Sequence, residues 1–217
     1  MNILRVFVSG VAALVLALAA VLPARADGLA SLDAFISQVH SGQADFVQTV
    51  TSPGAEGQPD RVKKSSGRFA FERPGRFRFD YTRPFEQEIV ADGQTLWLYD
   101  VDLEQVTQRP QEQVLGQTPA ALVAAAADVQ ALEANFELAG LPDADGLQWV
   151  EARPRQADGQ LQSVRVGFDG EALSVLEILD SFGQQSVLRF SDFRVNPELA
   201  ASLFAFEPPA GVDILQQ

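Results

Sequence analysis

Between Phe69 and Tyr81 aromatic and charged side chains alternate almost without a break. Successive side chains of a β-strand point to opposite faces, so this pattern sorts itself cleanly only in a sheet. Phe69, Phe71 and Arg73 share one face, opposite Arg68 and Glu72. Phe77, Phe79 and Tyr81 share a face in the next segment, with Arg76, Arg78 and Asp80 turned away. Val164, Val166 and Phe168 repeat the pattern against Arg165, and Leu188 and Phe190 repeat it against Arg189. Trp97, on a strand over Thr95–Tyr99, is expected to join the same apolar wall. The implied architecture is a sheet with one greasy face and one wet face.

Turn chemistry fixes the kind of sheet. Asp92-Gly93, Asp158-Gly159 and Asp169-Gly170 lie between apolar-rich segments, and Asp145-Gly146 precedes another. Asp-Gly suits tight hairpins whose central residues need positive φ. Repeated hairpins predict an antiparallel meander, unlike the parallel sheets that bind nucleotides. The expected strands cover 44–50, 67–72, 76–82, 86–91, 95–99, 105–107, 136–139, 147–152, 161–168, 173–179 and 186–193. A polar loop is expected over 51–66. Helical spacing of Leu32, Ile36 and Val39 predicts a first helix over 29–40. Thr118-Pro119 offers a cap and a first helical position for an alanine-rich helix over 120–132, carrying Leu122 and Val123. A short helical turn is expected over 197–202. The class is α+β, with one large antiparallel sheet and two or three helices.

The amino terminus reads as an address. Arg5 precedes an apolar run from Val6 to Leu22, and Ala24-Arg25-Ala26 has the small-x-small form cut by signal peptidases. Cleavage after Ala26 is expected, leaving a single domain over 27–217. No Cys follows the run, so the chain cannot be acylated as a lipoprotein itself. The excised part holds Arg5 and Arg25 and no acid, which moves the formal net charge from −13 to −15. Such a charge argues against nucleic acid, whose phosphates need Lys and Arg. With no cysteine in the chain, stability has to come from burial and strand pairing. A monomer is expected.

Two readings of the greasy face remain open at this level. Helices packed on it would make an ordinary core. Yet the two longer expected helices are few for so many strands, and one of them is mostly alanine. A thinly covered aromatic wall leaves room for an apolar ligand. Arg73 is the odd residue on that wall. Followed at once by Pro74, it either turns to solvent at a strand end or donates its five N–H groups to carbonyls of the covering helices.

Catalytic and metal signatures are absent from the sequence. His40 is the only histidine, there is no cysteine, and no Gly-x-Ser-x-Gly elbow or phosphate loop occurs. Asp100, Asp102 and Glu104 alternate like the start of a calcium loop, but Gln105 and Gln111 stand where the glycine and the bidentate glutamate belong. Neither an enzyme nor a bound cofactor or metal is expected.

The stretch Phe71-Glu72-Arg73-Pro74-Gly75-Arg76-Phe77-Arg78-Phe79-Asp80-Tyr81 resembles the Arg-Pro-Gly-x-Phe-Arg-aromatic-x-Tyr segment of the LolA family of outer-membrane lipoprotein carriers. Val90-Ala91-Asp92-Gly93-Gln94-Thr95-Leu96-Trp97-Leu98-Tyr99 is similar to that family's second motif. Thr118-Pro119 and the closing Phe204–Val212 segment fall in the same order. Phe79 departs from it, standing where many members carry Trp. The resemblance implies an unclosed β-barrel whose helices form a lid, with Leu32, Ile36, Leu122 and Val123 on the lid. It implies that Arg73 holds the lid and that Phe77 touches a transporter. Its cargo would be acylated lipoproteins, loaded by an inner-membrane ABC transporter and passed to an outer-membrane receptor lipoprotein. A lipid-sensing regulatory module of similar half-barrel shape is the alternative.

Overall fold

A computed structural model describes residues 28–114, 126–156 and 160–216. The chain opens with α1 (Gly28–Gln38), followed by β1 (Ser41–Ser52), β2 (Arg61–Glu72), β3 (Arg76–Arg83), β4 (Gln87–Asp92), β5 (Thr95–Asp100) and β6 (Gln105–Pro110). After the short α2 (Gln111–Val114) and α3 (Val129–Glu133) come β7 (Phe136–Ala144), β8 (Leu147–Pro154), β9 (Leu161–Asp169), β10 (Ala172–Asp180) and β11 (Gln185–Val195). A 3-10 turn (Ala201–Phe204) and β12 (Asp213–Gln216) complete it.

All twelve strands join one sheet in the order β12-β6-β5-β4-β3-β2-β1-β11-β10-β9-β8-β7. Two antiparallel meanders, β1–β6 and β7–β11, are welded where β11 returns to pair with β1. The edges β7 and β12 are not joined to each other, so the barrel stays unclosed, as expected. One strand breaks the antiparallel rule: β12 pairs with β6 in parallel, Asp213 opposite Gln105 and Gln216 opposite Gln108. The long crossing from β11 over the sheet permits that direction, since a parallel neighbour needs a long connection.

At Asp92-Gly93 and Asp169-Gly170 only the glycine takes positive φ, while the remaining described pair has it at both positions. Asp145 and Gly146 both take positive φ, 54° and 80°, between the paired Ala144 and Leu147. That is the two-residue turn whose twist matches the strands. Asp158-Gly159 lies outside the described residues. The expected polar loop over 51–66 is confined to 53–60; its two ends are strand, because Arg61 to Ser66 pair with Ser52 down to Val47. Backbone pairing needs no apolar side chain, so a polar hairpin arm reads as a loop from composition alone.

The helices depart further. α1 begins at Gly28, where a Cβ would sit 1.9 Å from the carbonyl oxygen of Trp149, so only glycine lets the helix seat on β8. Of the expected 120–132 helix, residues 120–125 lie outside the described residues, as do Thr118 and Pro119, and Leu122 and Val123 with them. The described remainder is not helical before Val129. Asp128 caps a new start there, its Oδ1 accepting from Ala131 N at 2.7 Å. α2 was not anticipated, and the turn expected over 197–202 forms later, at Ala201–Phe204.

The core gathers on the inner face. Phe69, Phe71, Phe77, Phe79, Val164, Val166, Phe168 and Leu188 are all at most 2% exposed there, beside Leu32, Phe35 and Ile36 from α1. The outer face carries charge, and the C-terminal segment crosses it. Phe204 is buried against it beneath Arg76, whose guanidinium lies 5.6 Å from the ring centre.

Candidate functional site

Strand register decides which residues share the inner wall. Phe71 pairs with Phe77 and Phe79 with Phe69 across β2 and β3, and Phe79 pairs with Ile89 on β4. The rings pack into one sheet of contacts. Phe69 and Phe79 lie 4.5 Å apart, Phe69 and Phe190 5.4 Å, and Phe79 and Tyr81 6.4 Å between centres. On the other meander Val164, Val166 and Phe168 of β9 face inward with Val150 and Leu176. Phe35 of α1 bridges the halves, touching Phe71, Phe168 and Phe193 at 5.4–6.2 Å.

Trp97 is not part of this wall. It pairs with Val90, which pairs with Arg78, so all three share the outer face. There it packs on Phe206 of the C-terminal segment at 6.0 Å, with Tyr99 at the same distance. Its neighbours Leu96 and Leu98 are the inward residues of β5, opposite Ala91 and Ile89. In a run of Leu96-Trp97-Leu98 every position is apolar, so alternation carries no phase and only the register supplies it.

Sequence reasoning also missed Phe46 and Phe193. Phe46 is 2% exposed and meets Phe79 and Tyr81 edge-on at 5.6 and 5.0 Å. The alternation Ala44, Phe46, Gln48 in β1 was a usable signal. Phe193 was not legible, because a bulge carries Asp192 at φ 53° and shifts the pairing from Asp45–Ser191 to Gln43–Arg194. The extra residue returns Phe193 to the face of Phe190, three positions earlier.

Arg73 turns inward. Its Nε donates to Val39 O at 2.9 Å, just past the end of α1, and Nη1 donates to Ala126 O at 2.7 Å. The guanidinium lies 5.2 Å from the ring centres of both Phe35 and Phe71. One cation thus ties the β2–β3 turn to the first helix and to the chain entering α3. Burial pulls its pKa down to about 10. The solvent-facing reading of Arg73 is thereby excluded.

Part of the wall is closed by its own rings and by α1, while Tyr81, Ile89, Ile178 and Phe190 on the same face stay half-buried. A hollow of about 580 Å³ does lie on the opposite face, between the sheet and Glu198–Leu203. Arg68, Arg78, Asp80 and Glu198 line it, which does not suit a hydrocarbon. Among the described residues no group of three metal-ligating side chains occurs, and His40 is exposed.

Residues 37–207 match the family described as outer membrane lipoprotein carrier protein LolA. The chain belongs to that family. An outer-membrane lipoprotein carrier protein from Albidiferax ferrireducens is 62% identical over 198 residues, covering 89% of this chain and 93% of the relative. One from Methylibium petroleiphilum is 52% identical over 194 residues, covering 89% and 92%. Among solved structures, a LolA superfamily protein from Nitrosomonas europaea superposes with a TM-score of 0.50 at 15% identity, covering 82% of this chain and 96% of the other. That likeness concerns the fold, and it agrees with the unclosed sheet.

Proposed function

We propose that this chain is a periplasmic carrier that takes acylated lipoproteins from an inner-membrane ABC transporter and hands them to an outer-membrane receptor lipoprotein. The acyl chains lie along the inner wall, between Phe69, Phe79, Val166 and Leu188 and the helical cover. The observation that carries this reading is the aromatic wall closed by one buried arginine. Family membership and relatives named as outer-membrane lipoprotein carriers support it. In this scheme the signal peptide is removed after Ala26 and the chain works as a soluble monomer. Arg73 acts as the lid latch; Phe77, at the start of β3, is fully buried in this structure, so it meets the transporter only once the wall has opened.

The energetics favour a closed empty state. Each buried CH₂ contributes about 0.8 kcal/mol, so a 16-carbon chain represents roughly 12 kcal/mol. Fully sheltering three chains would exceed the practical ceiling of about 20 kcal/mol, and cargo would never leave. A wall that must first part its own rings and break the Arg73 bonds lowers net affinity into a releasable range. The test is to mix the mature protein with a purified triacylated lipoprotein and look for a soluble one-to-one complex. Depletion in the cell should strand lipoproteins in the inner membrane; normal sorting after depletion would refute the proposal.

A further inference from the structure

The apolar wall does not run the full length of the sheet. On β1 the inward positions pass from Phe46, 2% exposed, to Gln48, which is half-buried. There a chain of hydrogen bonds crosses the inner face from strand to strand. Tyr81 Oη on β3 donates to Gln48 Oε1 on β1 at 3.0 Å. Gln48 Nε2 donates to Ser186 Oγ on β11 at 2.7 Å. Ser65 of β2 stands at the same level, paired with Gln48. α1 packs over β7, β8 and β9, while Gln48, Tyr81 and Ser186 are each half-buried.

The directions of these bonds leave a definite surplus. Tyr81 spends its single hydrogen on Gln48, and Gln48 spends one of two amide hydrogens on Ser186. The second amide hydrogen of Gln48 and the hydroxyl hydrogen of Ser186 find no acceptor among the described residues. A half-buried line with donors to spare, at the margin of an aromatic wall, suits a ligand that is hydrocarbon on one side and an acceptor on the other. Every acyl chain joins its anchor through a carbonyl, which accepts hydrogen bonds and donates none. From the level of Ser65 to Phe71 the wall extends six residues along β2, about 20 Å at roughly 3.4 Å per residue, enough to lie beside most of a long acyl chain.

We infer that Gln48 and Ser186, oriented by Tyr81, bind the ester or amide carbonyls of the lipid anchor and set the depth to which its chains enter. This inference rests on the carrier reading and adds the polar half of the site. Hydrocarbon burial against Phe46 and Phe79 supplies affinity without position. The carbonyls, held at the rim, fix where the chains begin and keep the polypeptide outside.

The decisive probe is a pair of synthetic diacylglyceryl lipopeptides, one with ester-linked chains and one with ether-linked chains of equal length. Binding to the mature protein is measured by competition with a fluorescent apolar dye. The wild type should prefer the ester by about fivefold or more, the effect of one or two neutral hydrogen bonds. Gln48→Leu and Ser186→Ala should each shrink that preference toward unity while leaving ether affinity unchanged. Because ester and ether are compared on the same protein, a variant that is merely less stable loses both together. No ester preference in the wild type, or equal losses of ester and ether in Gln48→Leu, would overturn the inference. Failure of the wild type to bind either lipopeptide would instead defeat the carrier reading itself.

Discussion

Replacing Arg73 with leucine isolates the latch. The guanidinium makes charge-assisted bonds to Val39 O and Ala126 O and lies over the Phe35 and Phe71 rings. Bonds from a charged donor contribute about 1.5–3 kcal/mol each, and ring contacts of this kind about 0.5–1. Opposing them, burial lowers the pKa to about 10, a cost of roughly 3 kcal/mol for holding the charge there. The balance is a latch of roughly 1–5 kcal/mol, and already at about 2 kcal/mol the ratio of closed to open forms shifts about thirtyfold. At that value a ligand that needs the open form should bind the variant up to about thirtyfold more tightly and leave it correspondingly slowly. The assay is fluorescence anisotropy of a labelled triacylated lipopeptide, followed by transfer to a purified outer-membrane receptor. Thermal unfolding confirms that the variant is folded. A folded Arg73→Leu protein with unchanged affinity and unchanged transfer would refute the latch.

Three other perturbations test the geometry. Trp97→Ala should leave lipopeptide affinity unchanged and loosen only the C-terminal segment, read as faster amide exchange around Phe206; a collapse of binding would contradict its outer-face position. Phe35→Ala removes a fully buried ring that bridges Phe71, Phe168 and Phe193, and should cost about 3–5 kcal/mol in denaturant unfolding. Tyr81 is held protonated by burial, with its pKa pushed from 10.0 to about 12. Above pH 10 the unfolded chain gives up this proton while the folded one keeps it, so stability falls as pH rises, by roughly 2 kcal/mol by pH 12. Tyr81→Phe should lack that decline relative to the wild type, and the phenolate absorbance of the late-titrating group should vanish with it.

Much of the site was legible because its signal is local. Phe69, Phe71, Phe77 and Phe79 alternate with charges, and a charge that must stay wet fixes the phase of the strand around it. Where that marker is missing the sequence is silent: Leu96-Trp97-Leu98 fits either face, and Phe193 depends on a bulge at Asp192 that no periodicity announces. The polar arm of β2 was likewise invisible, since its pairing with β1 uses backbone groups that every residue carries.

Read alone, the chain of amino acids specified hairpins at Asp-Gly turns and a sheet with one aromatic face, because turn dihedrals and side-chain alternation act between near neighbours. Where Arg73 points was left open by the sequence, and the fold settled it by bringing Val39 and Ala126, thirty-four and fifty-three residues away, within reach of one guanidinium. The same holds for Tyr81, Gln48 and Ser186, which come from three strands and meet only once β11 returns to β1. Contacts of that kind are chosen by the register and closure of the whole sheet, which no short stretch of sequence encodes.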